Sequence, residues 1–195
     1  MPMAKSASTP RVIAGKAKGV RLVSVPGRSI RPIMDRAKQA LFDILGADIK
    51  NATFLDLFGG IGSVGIEALS RGAAFVRFID ADPLAVRSIR QNLALTGLDS
   101  GAQVVPGDAF AQLHQRPDRP FDYVYVAPPQ YHALWQEALR ALDAQPDWLS
   151  DDGWAIVQIH PKEYAPLDLD HLEEFSQRHY GSTLFVFYRH KEATA

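Results

Sequence analysis

Residues Thr53 to Leu57 form a short apolar run that breaks into Phe58-Gly59-Gly60-Ile61-Gly62 and resumes as Val64, Ile66, Ala68 and Leu69 at helical spacing. This reads as a buried strand passing through a glycine turn into a helix. Glycine allows the backbone to approach a ligand closely, because no Cβ stands in the way. In open α/β sheets ligands bind at the carboxyl ends of the strands, where this turn falls. The next apolar run, Phe75 to Ile79, ends in Asp80. Together these features restrict the chain to a strand–turn–helix–strand unit of a parallel sheet and ask for a ligand with a ribose.

The rest of the chain repeats the alternation. Asp35 to Leu45 reads as a helix with Ala37, Ala40, Leu41, Ile44 and Leu45 on one face. After strand 53–57 come helix 63–71, strand 75–80, helix 83–96, strand 102–106, helix 108–114 and strand 121–126. A helix over 131–144 and a strand over 153–159 follow. Two final apolar runs, 172–180 and 183–189, break at Gly181-Ser182, as suits a tight turn between antiparallel strands. Strands alternating with helices imply a mostly parallel sheet covered on both faces. The expected fold class is therefore α/β, a doubly wound Rossmann-like sheet closed by a terminal antiparallel hairpin that adds its antiparallel strand at one edge. That is the architecture of the Rossmann-like (class I) methyltransferases. At the N-terminus, Arg11 to Gly15 and Val20 to Val25 flank Lys16-Ala17-Lys18-Gly19, which predicts a small β-hairpin. Residues 1–30 read as a basic extension, and residues 31–195 as the main domain.

Two cofactor classes compete for the glycine turn. Gly60, Gly62 and Gly65 satisfy G-x-G-x-x-G, with Asp80 twenty residues beyond Gly60, the pattern of a dinucleotide site. The wider pattern, D-x-F-x-G-x-G from Asp56 through Phe58, Gly60 and Gly62, favours another ligand. An anion at the strand end repels a pyrophosphate and suits a cationic amine or sulfonium. S-adenosylmethionine carries both positive groups and no phosphate. On this reading Asp56, Phe58, Gly59, Gly60 and Gly62 hold the cofactor, and Asp80 with Ala81 takes the ribose hydroxyls. Asp82 suits a helix cap, with Pro83 at the first helical position. Asp108 and the backbone N–H near Ala109 are placed to meet an adenine ring, and Asp108 suits a helix cap equally well.

The strand Phe121 to Val126 ends in Ala127-Pro128-Pro129-Gln130-Tyr131. Two prolines end the strand and fix the carbonyls before them in an extended geometry. Such a segment suits methyl transfer to an exocyclic amine, which must be held with its lone pair facing the methyl donor. Backbone carbonyls of Ala127 or Pro128 can accept the amine hydrogens, and in-line placement supplies most of the rate.

The formal net charge of −1 conceals an asymmetry: residues 1–40 carry +8 and residues 41–195 carry −9. A concentrated positive segment on an acidic body is the footprint of nucleic-acid contact. Arg11, Lys16, Lys18, Arg21, Arg31 and Arg36 are the candidate phosphate contacts. The chain has no cysteine, which excludes disulfides, thiolate metal sites and cysteine nucleophiles. Its histidines (His114, His132, His160, His171, His179, His190) show no ligand spacing, so no metal is expected. No apolar run approaches the roughly 18 residues of a membrane span, and Met1 to Thr9 lack the apolar core of a secretory signal. A cytoplasmic monomer is the expectation.

These residues resemble, over nearly the whole chain, the bacterial 16S rRNA guanine-N2 methyltransferases of the small single-domain type, which act on a helix in the head of the 30S subunit. The resemblance rests on Arg11-Val12-Ile13-Ala14-Gly15 with Lys18-Gly19, on Arg31-Pro32 followed by Asp35-Arg36, and on Asp56 to Gly62. It extends through Glu67-Ala68-Leu69-Ser70-Arg71-Gly72-Ala73, Asn92-Leu93, and Tyr180-Gly181-Ser182-Thr183 ahead of Phe187-Tyr188. It implies that the first segment grips rRNA, that residues 31–42 border the cofactor pocket and that the glycine loop holds S-adenosylmethionine. The family's catalytic tetrad is Asp or Asn, Pro, Pro, then an aromatic. Here it is Ala127-Pro128-Pro129-Gln130, with the aromatic displaced to Tyr131, which leaves Tyr131 to stack on a flipped base. Two further expectations stay open: an rRNA-binding or assembly protein without turnover, and a nucleic-acid adenine-N6 methyltransferase.

Overall fold

A computed structural model describes residues 10–25 and 33–192. The elements run α1 (Asp35–Leu45), β1 (Thr53–Asp56), α2 (Ser63–Ser70), β2 (Phe75–Asp80), α3 (Pro83–Thr96) and β3 (Ala102–Pro106). They continue with α4 (Ala109–Leu113), β4 (Phe121–Val126), α5 (Leu134–Ala144), β5 (Leu149–Ile159), β6 (Leu172–Tyr180) and β7 (Thr183–His190). The strands form one sheet in the order β3-β2-β1-β4-β5-β7-β6. β1 through β5 pair in parallel, and β7 lies antiparallel between β5 and β6. The antiparallel strand is therefore second from the edge, and β6 is the edge itself.

Side chains alternate across each strand, so the sheet builds two cores. On one face Phe54, Phe78, Tyr125, Ile156 and Phe187 pack against α1, α2 and α3. On the other, Leu55, Val124, Val126, Val157 and Val186 pack against α4 and α5. Gly65 is where α2 presses onto the sheet, since a Cβ there would stand 2.3 Å from the ring of Phe78. Gly65→Ala is expected to cost about 1–3 kcal/mol by overpacking, read as a lowered unfolding midpoint.

Several boundaries differ from the sequence expectation. β1 ends at Asp56, and α4 covers Ala109–Leu113, with Asp108 outside it as a cap. α5 begins at Leu134 because Tyr131 and Ala133 adopt positive φ and cannot join a helix. β5 starts at Leu149, its pairing with β4 shifted between Phe121 and Tyr123. Between β5 and β6 the chain loops over α5, where the buried Asp143 carboxylate accepts from the backbone N–H groups of Asp170, His171 and Leu172.

The N-terminal hairpin is minimal: one antiparallel bridge joins Arg11 and Arg21, with Val12 N–H donating to Val20 O and Gly19 N–H to Val12 O. Most of its anchorage is to the body. Val12, Ala17, Leu22 and Val25 are buried in the same core as α1, α2 and α3. Glu67, wholly buried on α2, accepts from Ile13 N (2.8 Å) and Ala14 N (3.0 Å). Lys38 of α1, 1 % exposed, donates to Arg11 O at 2.7 Å and lies 3.3 Å from Glu67. Burial pushes the Lys38 ammonium below its ordinary pKa, with Glu67 opposing that shift. At Gly15 the loop comes so close to α2 that a Cβ would stand 1.8 Å from Ser70 O.

Candidate functional site

The carboxyl ends of β3, β2, β1, β4 and β5 open into one cavity of about 710 Å³. Sheet order sets out its wall as a row. Asp108, Ala109 and Phe110 follow β3; Asp80 ends β2 and Ala81 and Asp82 follow it. Leu57, Phe58 and Gly60 follow β1; Ala127, Pro128, Pro129 and Gln130 follow β4; Gln158 lies on β5. Adjacent strands stand about 4.8 Å apart, so the row is long enough for an extended nucleoside derivative.

Asp80 anchors the middle of the row. Its Oδ2 accepts from Gly60 N (2.7 Å) and its Oδ1 from Asp82 N (2.8 Å). Both oxygens keep a lone pair for a ribose hydroxyl, and the two backbone bonds fix where they point. Gly60 takes φ +58 and a Cβ on it would meet nothing closer than 3.9 Å, so it leaves the wall open beside Asp80. Asp108 caps α4, its Oδ1 accepting from Ala111 N at 2.9 Å. Asp82 caps α3, accepting from Leu84 N. Phe58 and Phe110 meet edge to face with ring centroids 5.9 Å apart, giving the cavity an apolar wall beside the Asp80 and Asp108 carboxylates that also line it. These groups fit an adenosine: an aromatic surface for the base and a carboxylate each for the ribose hydroxyls and the amino group.

Asp56, Gly59 and Gly62 lie behind the cavity wall. Asp56 is 2 % exposed and accepts from Gly65 N at 3.3 Å, so it ties the glycine loop to the first turn of α2. Burial pushes its carboxyl up to about 7, and Asp80 adds to the shift. Gly59 faces Ile89, where a Cβ would approach to 2.8 Å, and Gly62 precedes α2 at φ +78. Of this glycine cluster only Gly60 borders the cavity; the others serve the turn and the helix–sheet contact. The folded protein holds the Asp56 proton from about pH 4 to about pH 7, where the unfolded chain releases it, so this residue makes stability fall as pH rises through that window. Asp56→Asn removes the cost. The variant is expected to match the parent near pH 4 and to exceed it at pH 8 by at most about 4 kcal/mol, measured by urea denaturation at both pH values.

At the other end of the row, Pro128 is buried while Pro129 and Tyr131 are exposed. Tyr131 is 65 % exposed and does not line the cavity, which on this segment takes in Ala127 to Gln130; its N–H donates to Glu163 Oε1 at 2.6 Å and its ring lies 6.0 Å from that of His160. The positive φ of Tyr131 and Ala133 sets this turn in a costly conformation that Glu163 holds in place. Residues missed by sequence reasoning include Phe110 and Gln158. Phe110 directly follows Asp108-Ala109, and Gln158 is a polar interruption of the apolar run Ala155 to Ile159; both were visible as such.

Of the candidate RNA contacts, Lys16, Lys18, Arg21 and Arg36 are exposed, and Arg11 is exposed but paired with Asp35 at 2.9 Å. Arg31 lies outside the described residues. Among the described residues no group of His, Asp and Glu is arranged to hold a metal, and no helix is long and apolar enough to cross a membrane.

An acid ending β2, a glycine turn after β1 and a Pro-Pro exit after β4, on a sheet with an inserted antiparallel β7, define a Rossmann-like methyltransferase. The chain belongs to the family described as conserved hypothetical protein 95, whose model matches residues 10–189. It is 34 % identical over 181 residues to YlbH of Bacillus subtilis, a protein provisionally named an rRNA methyltransferase, covering 92 % of this chain and 98 % of that one. It is also 34 % identical over 156 residues to ribosomal RNA small subunit methyltransferase D of Escherichia coli, covering 80 % and 77 %. Among solved structures, Escherichia coli yhhF, provisionally named a methyltransferase, superposes with a TM-score of 0.83 at 30 % identity, covering 94 % and 98 %.

Proposed function

We propose that this protein transfers a methyl group from S-adenosylmethionine to the exocyclic N2 of a guanine in 16S rRNA, acting as a cytoplasmic monomer on the 30S subunit or an assembly intermediate. The observation that carries the reading is the row of residues along the strand ends, Asp108, Phe110, Asp80, Phe58 and Gly60 beside the Pro-Pro exit, which supports an adenosine site there. The similarity to rRNA methyltransferases supports the substrate class.

When bound, S-adenosylmethionine supplies a methyl group already activated on sulfur. The chain supplies position. Asp80 accepts from the ribose hydroxyls, Phe58 and Phe110 offer the adenine an apolar surface, and the free oxygen of Asp108 accepts from its amino group. A main-chain carbonyl at Ala127 or Pro128 accepts one hydrogen of the target amine and helps turn its lone pair toward the methyl. A base inside a duplex cannot reach this cavity, so it is flipped, with the exposed Tyr131 beside the lining residue Gln130 as its stacking surface. Arg11, Lys16, Lys18, Arg21, Arg31 and Arg36 contact phosphates, giving affinity that falls with salt and carries little sequence information.

A second reading, an rRNA-binding or assembly protein without turnover, is favoured by Ala127, which offers no side-chain acceptor. A nucleic-acid adenine-N6 methyltransferase would use the same exit. Tritiated methyl transfer to undermethylated 30S subunits separates these. Label on a guanine with the parent protein supports the first reading. Tight cofactor binding without label, and label gained by Ala127→Asp, would support the second. Label on adenine would support the third.

A further inference from the structure

An amine about to accept a methyl group needs acceptors for its hydrogens in fixed positions. At the exit of β4 the chain provides main-chain carbonyls and, at Ala127, only a methyl side chain. The neighbouring strand provides more. Val126 pairs with Val157, so one step further along each strand stand Ala127 and Gln158, and both face the cavity. The Oε1 of Gln158 accepts from the hydroxyl of Tyr125, which is 2 % exposed. That bond occupies one lone pair and leaves the other, together with both amide N–H groups. β5 lies between β4 and β7, so the side chain stands on an interior strand and not on a loop.

We propose, on the reading that the protein methylates a base amine, that Gln158 is the side-chain acceptor for that amine and reads the ring atom beside it. Oε1 takes one amine hydrogen, and Nε2–H donates to the adjacent ring nitrogen. On guanine these are N2 and N3, a donor next to an acceptor. A carboxylate, which only accepts, would instead suit the donor pair N1–H and N2–H. The amide thus selects which edge of the flipped base is presented. Tyr125 is a positioning residue, acting on the base through Gln158.

The test uses Gln158→Met, Gln158→Glu and Tyr125→Phe in the full chain, with methyl transfer to 30S subunits, S-adenosylmethionine affinity by calorimetry, and thermal unfolding. Gln158→Met is expected to lower kcat by about 100-fold or more, as loss of a positioned transition-state hydrogen bond does. Its cofactor Kd should stay within about twofold of the parent, since no adenosine contact is touched. Gln158→Glu keeps an oxygen acceptor and is expected to exceed Gln158→Met by about tenfold in kcat. Tyr125→Phe should lower kcat with KM for 30S unchanged, a split that simple misfolding does not produce. An active Gln158→Met within about threefold of the parent would overturn the proposal, as would equal losses in the Met and Glu variants with weakened cofactor binding. A parent that binds the cofactor but labels no base overturns the methyltransferase reading instead, and this inference with it.

Discussion

Glu67→Ala is expected to destabilise the protein by about 3–5 kcal/mol, the usual consequence of stripping one partner from a buried ion pair. The carboxylate is fully buried and serves four donors: Ile13 N, Ala14 N, Arg71 Nε at 2.8 Å and Lys38 Nζ at 3.3 Å. Without it Lys38 keeps Arg11 O and Ser63 Oγ as partners but loses its counter-charge inside the core. Two backbone N–H groups of the N-terminal segment lose their acceptors at the same time. Urea denaturation measures the loss. Lys38→Met combined with Glu67→Gln removes both charges together and should be less destabilised than Glu67→Ala alone. A loss below about 1 kcal/mol for Glu67→Ala would mean that water reaches the pair in solution.

Asp80→Ala is expected to weaken S-adenosylmethionine binding by about 100- to 10,000-fold, since two hydrogen bonds to a charged acceptor are worth about 1.5–3 kcal/mol each. The substitution also frees Gly60 N–H and Asp82 N–H, which Asp80 holds at 2.7 and 2.8 Å, so the glycine turn loses its anchor on β2. Asp80→Asn keeps one acceptor oxygen and should fall between the two. Calorimetric titration checks the order. A Kd within about fivefold of the parent for Asp80→Ala would place the ribose elsewhere in the cavity.

These two predictions concern residues of very different legibility. Asp80 was legible in the sequence as a carboxylate ending an apolar strand after a glycine turn, and the structure sets it on the cavity wall. Glu67 and Lys38 were not readable as a pair. Lys38 counts toward the basic N-terminal segment, and only its position on α1, facing Glu67 of α2, turns it from a surface charge into a core residue. Asn92 is a similar case. Its amide accepts from Val23 N (2.7 Å) and donates to Val23 O and Ile61 O, joining the N-terminal segment to the glycine loop across 69 and 31 residues of chain. The glycines divide the same way. Their clustering marks the turn, but whether each one borders a ligand or relieves a helix–sheet contact depends on what stands opposite, and for Gly59 and Gly65 that is Ile89 and Phe78.

Local pattern determined the strand and helix alternation, the turns at Gly181 and after Asp56, the caps at Asp82 and Asp108, and the place of the Pro-Pro exit. Each depends on residues within a few positions of one another, where backbone preference and side-chain alternation act directly. Tertiary structure decided the burial of Lys38 and Asp56, the insertion of β7 between β5 and β6, and the meeting of Ala127 with Gln158. These depend on strand order, and strand order brings together residues far apart in sequence through the burial of two faces of one sheet, a sum over the whole chain that no short window contains.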